Sequence, residues 1–171
     1  MNLQHLKLFV DEEKFPFYML YFRGAGKVDV IATNGYSMLV NTIPAMHNLD
    51  DIVMGIDLMD IGKIMIFSGA MISFRLWKGE LFIDCDQASL PLSIISSNLL
   101  PNVKNIFSLQ AKRRITKASF LVSNLKMITK YCDLIGDDQL THDFYGIDKP
   151  VVYSGKGWKI YMMPLEFKNV T

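Results

Sequence analysis

The sequence lacks most of what marks a metalloprotein, a secreted scaffold or a membrane protein. Its two cysteines, Cys85 and Cys132, belong to no CxxC or Cys/His cluster, which argues against a zinc site and a disulfide-stapled domain. They read as buried thiols of a reducing cytoplasm, and the localisation expected is cytoplasmic. The three histidines, His5, His47 and His142, sit in separate segments without metal-ligand spacing, as structural or surface residues do. No apolar run reaches the roughly 18 to 20 residues of a membrane span, and MNLQHLKLFVDEEK meets acidic residues too early for a signal peptide. A dominant charge is also missing, since 18 basic residues face 17 acidic ones. Any contact with nucleic acid must therefore come from a local patch.

Catalytic signatures are equally scarce. Gly24-Ala25-Gly26-Lys27 faintly resembles a phosphate loop, but GxxxxGK[ST] is absent and a strand follows, so it reads as a hairpin. No GxSxG occurs. Asp84 and Asp86 fall on one side of a strand by its two-residue period, where they could share a cation, and a solvated strand face accounts for them equally. Without a matched acid and base, a non-enzymatic protein needing no cofactor and no metal is expected.

What is present is a chain of 171 residues, half of them hydrophobic, enough for one ordinary core or two small linked ones. Leu3, Leu6, Phe9 and Val10 have helical spacing, and the FPF at 15 to 17 predicts the end of that helix. YMLYF, KVDVIAT and SMLVNTI predict an antiparallel meander broken at Gly24-Ala25-Gly26 and Asn34-Gly35. IVMGI adds a strand, Asp57 is placed to cap a helix over LMDIGKIMIF, and MISFRLW, ELFIDCD and SLPLSII predict three further strands. After a proline-containing connector, ASFLV reads as a strand. SNLKMITKYCDLIG reads as a helix with Leu121, Leu125, Ile128, Cys132 and Ile135 inward, Ser123 at its start and Gly136 at its end. HDFYG, PVVYS and WKIYMMPL close the chain as strands around a Gly155-Lys156-Gly157 turn.

Lys112, Arg113, Arg114 and Lys117 form a compact basic run, and Lys126 and Lys130 lie one turn apart on a helix face. Such a stripe suits phosphate contacts, and a solvated face would look the same. Met38, Met162 and Met163 gather near strand ends, where methionine fills a core or lines an adaptable groove.

Four segments taken together carry a family resemblance. IATNGYSMLV resembles the Ala-Thr-Asp-Gly-(His or Tyr)-Arg-Leu segment of bacterial sliding clamps, the DNA polymerase III beta subunit. Leu100-Pro101-Asn102-Val103-Lys104-Asn105-Ile106 is similar to their Phe-Pro-Asp-Tyr-x-x-Val connector. Tyr161-Met162-Met163-Pro164-Leu165-Glu166-Phe167 is similar to their closing strand and tail, and SFLVSNLKMITKYCDLIG resembles the last-domain helix before it. In this sequence Asn34 stands for the acid, Ser37 for the arginine, Leu100 for the phenylalanine and Glu166 for the tail arginine.

The resemblance implies an α+β, DNA-clamp-like fold with one complete clamp-type domain at 1–99, a connector at 100–118 and about half of a second domain at 119–171. It implies a non-enzymatic, phage- or plasmid-type clamp-like protein that binds short peptide motifs of polymerase, clamp loader or repair proteins. The groove would be lined by Thr33, Gly35, Tyr36, Met38, Pro101, Ile106, Tyr161, Met163, Pro164 and Leu165. Double-stranded DNA is a further expected partner through Lys7, Lys63, Lys112, Arg113, Arg114, Lys126 and Lys130, with self-association into a reduced processivity clamp. The alternative is a regulatory decoy of the host clamp or its partners that does not touch DNA.

Overall fold

Three consecutive strands are apolar along almost their whole length instead of alternating, because the sheet they form is covered on both faces. In the computed structural model, which describes residues 3–24, 26–67, 71–86, 88–107, 120–145 and 149–164, these are β1 (Phe17–Phe22), β2 (Lys27–Thr33) and β3 (Ser37–Pro44). They pair as an antiparallel meander, with Leu20 opposite Val30 and Ile31 opposite Val40. Beyond β1 the sheet continues through β5 (Ile52–Asp57) and a two-residue β9 (Ile94–Ile95). Beyond β3 it continues through β12 (Trp158–Met162), β11 (Val151–Gly155) and β10 (Thr141–Phe144). The result is one eight-stranded sheet in the order β10-β11-β12-β3-β2-β1-β5-β9. A second sheet has the order β4 (Met46–His47), β6 (Ile72–Trp77), β7 (Glu80–Cys85) and β8 (Ala88–Leu92).

One face of the large sheet carries Leu20, Val30, Leu39 and Ile160 into a core shared with Phe74 and Ile83 of the second sheet. Leu6 and Phe9 of an N-terminal 3-10 helix (Leu3–Phe9), Ile61 and Ile64 of α1 (Ile61–Ile66), and Ile128 and Tyr131 of α3 (Val122–Ile135) pack on that same side. The opposite face presents Met19, Ile31, Met38, Val40 and Tyr161, and it is covered by the segment after β9. There Val103 is buried, while Leu100, Ile106 and Phe107 pack against the sheet, the last two on a single helical turn, α2 (Lys104–Phe107). The N-terminal 3-10 helix, α1 and α3 therefore occupy one side, and the connector with α2 the other.

The meander, the β5 strand, the Lys78-Gly79 turn with both φ angles positive, and the three closing strands lie where the sequence places them. Asp57 caps through its carboxylate, which accepts the Met59 N–H at 2.8 Å, although the turn it caps is a 3-10 turn (Leu58–Asp60) leading into α1. Gly136 ends α3 in the left-handed region, with φ 66°.

Other expectations are corrected. The first helix is 3-10 and stops at Phe9, and the FPF opens β1 instead of ending a helix, because the Asp11 side chain turns the chain by accepting the N–H groups of Glu13 and Lys14. SLPLSII splits between sheets at Ser93, whose carbonyl accepts Asp57 N–H at 3.1 Å and whose own N–H is taken by the Asp60 carboxylate. The ASFLV strand is absent over its described part, where α3 begins at Val122, and Ser123 lies inside the helix without capping it. The inward stripe of α3 is Asn124, Ile128 and Tyr131, whereas Leu121 and Leu125 are exposed. Both cysteines are half-buried instead of buried.

Candidate peptide-binding groove

The corner between β2 and β3 is built by two side chains hydrogen-bonding to their own backbone. Asn34 accepts the N–H groups of Tyr36 and Ser37 at 3.0 and 2.8 Å, while its own N–H donates to the Ser37 carbonyl at 3.2 Å. Asparagine suits such a turn because its short amide reaches backbone two residues on. The Thr33 hydroxyl donates to the Ser37 carbonyl and accepts the Gly35 N–H, at 3.0 and 3.1 Å. Gly35 has φ 86°, and a Cβ there would stand 3.1 Å from the Phe15 ring. Only glycine combines that torsion with so close a neighbour.

The other two walls come from distant parts of the chain. Past β12, the Met163 N–H donates to the Tyr36 carbonyl at 2.9 Å, so the C-terminal segment lies directly beside the corner. The connector folds over Val103, whose carbonyl accepts the N–H groups of Ile106 and Phe107 at 3.0 and 3.3 Å. It is tied down at Lys104, whose ammonium bonds the Asp51 carbonyl and lies 2.8 Å from the Asp51 carboxylate. The Tyr21 hydroxyl reaches the same carboxylate at 2.7 Å. Hydrogen bonds from Lys104 and then Tyr21 hold the Asp51 carboxyl below the usual carboxylate range.

Between the three walls is an apolar cleft of about 160 Å³. Of the ten groove residues expected from the sequence, Thr33, Gly35, Tyr36, Met38, Pro101, Ile106, Tyr161 and Met163 line it. Pro164 is half-buried beside it without lining it, and Leu165 lies outside the described residues. Phe15, Ser37, Val103 and Pro150 also contribute. Of these, Val103 sits in the quoted connector and Ser37 in the quoted corner, whereas nothing local in the sequence marks Phe15 or Pro150 as neighbours of either. Tyr36 and Met163 form an exposed rim at 53% and 40% accessibility, over a floor of buried Met38 and Tyr161. Burial, and then the neighbouring Tyr145, push the Tyr161 phenol up to about 12, so the floor stays neutral at ordinary pH. The Ser37 hydroxyl is buried with no hydrogen-bond partner among the described residues.

Phe107 stacks edge-on against Tyr161 at 5.7 Å, and beyond that contact is a second, charged cleft of about 130 Å³. Asp29 lies at its base, only 2% exposed, with Oδ1 accepting the Thr42 hydroxyl at 2.6 Å and Oδ2 facing the Arg23 guanidinium at 3.3 Å. The Arg23 guanidinium also lies over the rings of Phe107 and Tyr21, at 5.4 and 6.0 Å.

The basic candidates divide three ways. Lys7 is exposed on the N-terminal 3-10 helix, and Lys126 and Lys130 are exposed on α3. These two elements pack together through Phe9 and Tyr131, so all three lysines project from the helix-bearing side of the sheet. The Lys63 ammonium is engaged by the Asp60 carboxylate at 2.7 Å and the Pro91 carbonyl at 2.6 Å. Lys112, Arg113 and Arg114 lie outside the described residues. Asp84 is held by Arg75 at 3.1 Å, and no group of three or more metal-ligating side chains occurs among the described residues. No described helix is long and apolar enough to cross a membrane.

No protein-family model and no curated protein matches the sequence. The fold, by contrast, matches solved bacterial sliding clamps along nearly its whole length. A DNA polymerase sliding clamp from Bacillus subtilis superposes with a TM-score of 0.65 at 10% identity, covering 99% of this chain and 63% of that one. The Thermotoga maritima DNA polymerase III beta subunit gives 0.63 at 12% identity, covering 96% and 62%. The Helicobacter pylori beta clamp, solved bound to a DNA ligase peptide, gives 0.63 at 11% identity, covering 99% and 64%. The chain therefore has the sliding-clamp fold and spans a little under two thirds of the length of the clamps it resembles.

Proposed function

We propose that this is a non-enzymatic clamp-like protein whose groove receives an apolar side chain from a short, extended peptide of a replication or repair protein. The observation that carries the reading is the Met163-to-Tyr36 hydrogen bond, which joins the C-terminal segment to the Thr-Asn-Gly corner beneath the connector. A cleft of about 160 Å³ is close to the roughly 150 Å³ cavity that accommodates a benzene ring. It suits one aromatic or leucine-sized anchor. The DNA ligase peptide bound to the Helicobacter pylori clamp supports the same class of ligand.

Titration calorimetry with that ligase peptide tests the reading. Saturable binding is expected, weakened about tenfold or more by Tyr36→Ala or Met163→Ala, since both remove apolar surface from the rim. Absence of saturable binding, or indifference to both substitutions, would overturn it.

The proposal extends to organisation, with residues 1–99 as one clamp-type unit, 100–118 as its connector and 119–171 as about half of another. The exposed Lys7, Lys126 and Lys130 favour a double-stranded DNA contact on the helix side, within a reduced, cytoplasmic clamp made by several copies. A regulatory decoy that occupies clamp partners without DNA would use the same groove and ignore those lysines. Salt-dependent DNA binding that falls on Lys126→Gln and Lys130→Gln separates the two.

A further inference from the structure

We propose that the charged cleft beyond Phe107 is a second subsite for the same ligand, one that reads a carboxylate flanking the apolar anchor. The inference rests on the peptide-groove reading and adds the chemistry that would select among peptides.

Side chains of β12 alternate between faces, so Lys159, Tyr161 and Met163 share the connector side of the sheet. Met163 lines the apolar groove, Lys159 lines the charged cleft, and Tyr161 lines both. At about 3.3 Å per residue, Lys159 and Met163 are separated by about 13 Å. An extended peptide of about four residues covers that distance, passing over the Phe107–Tyr161 contact.

Arg23 is prepared for an anion. Its guanidinium lies over two aromatic rings and 3.3 Å from Asp29 Oδ2, which is buried without a hydrogen-bond partner among the described residues, and more than half of the Arg23 side chain stays open to the cleft. Asp29, by contrast, is buried and already held by Thr42, so its role is to position Arg23. A guanidinium placed over aromatic rings beside a carboxylate presents paired donors that match a second carboxylate. Lys159 is exposed at the same cleft and adds a second cation. With two cations against one carboxylate, the cleft is one charge short of neutrality, and an acidic group on the ligand supplies it.

The carboxylate could be an acidic side chain or the free end of a peptide. Labelled peptides with identical apolar residues, flanked at either end by two glutamates, two glutamines or two lysines, each with a free or amidated C-terminus, test this by fluorescence polarisation. Glutamate should tighten binding roughly three- to tenfold over glutamine at about 50 mM salt, with the advantage gone near 0.5 M. Preference for glutamate in amidated peptides assigns the subsite to a side chain, and preference for the free terminus assigns it to the chain end. Both support the subsite. The preference should shrink in Arg23→Lys, which keeps the charge but loses the fork, and in Lys159→Gln, which leaves the Asp29 pair intact. Equal binding of glutamate and glutamine peptides that still respond to Tyr36→Ala overturns the subsite and leaves the groove standing. Failure of every peptide to bind removes both.

Discussion

Ser37 lines the groove and has a buried hydroxyl that meets no partner among the described residues. A stranded hydroxyl costs desolvation without a compensating bond, so removing it should be harmless to the fold. Ser37→Ala is expected to leave stability unchanged or to raise it by up to about 1 kcal/mol in urea denaturation. A loss of more than that would mean the hydroxyl is bonded in solution. The corner around it was legible because Thr, Asn and Gly each do something local that their chemistry announces. Asn124 and Tyr131 were not. Both are buried on α3, and the Tyr131 hydroxyl donates to Asn41 at 3.1 Å across the core. A stripe counted by apolarity skips polar-ended side chains, and so it placed the inward face around Leu121 and Leu125.

Elements announced themselves where local chemistry and packing agreed. Turn residues at Lys78-Gly79 and Gly136, and strands rich in aromatic and branched residues, needed no distant partner to be recognised. The failures came where tertiary contacts decide. ASFLV has strand-like composition, but in its described part Leu121 is the N-cap and Val122 the first residue of α3, whose Ile128 and Tyr131 pack on the N-terminal 3-10 helix and the sheet. The junction between α1 and β8 depends on Asp60 in a similar way. Burial alone would raise its carboxyl, yet Lys63 and the Ser93 N–H together hold it below the usual carboxylate range. A carboxyl whose folded pKa lies below its unfolded one stabilises above the ordinary range near 4 and loses that contribution as pH falls through the folded value. The stability gap between wild type and Asp60→Asn should therefore be widest near neutrality and narrow towards pH 3 in urea midpoints. A gap that stays constant over that range would show that the charge at Asp60 contributes nothing.

At the scale of the whole molecule, the sheet formed by the described residues ends in short strands, β10 on one side and β9 on the other. Unpaired edges are where further copies could add. If the chain builds a reduced clamp, light scattering should give a mass of at least two copies, rising towards a closed ring with concentration. A monomer throughout would remove the ring and leave the proposed peptide groove to be judged by the calorimetry alone. The sequence made the groove legible through three short segments but could not show what lies behind it. The two-sided covering of the sheet, and the charged cleft past Phe107, depend on which strand ends beside which.

That order has a consequence in time. β12 pairs with β3, so Met38 meets Tyr161 although they lie near opposite ends of the chain. The meander of β1, β2 and β3 can form as soon as it is made, but its β3 edge stays open until the final strand arrives. Pairing over so long a separation is slow, and an open, apolar edge invites wrong partners while it waits. The walls of the cleft therefore meet only once β12 has paired with β3 and brought Met163 to Tyr36.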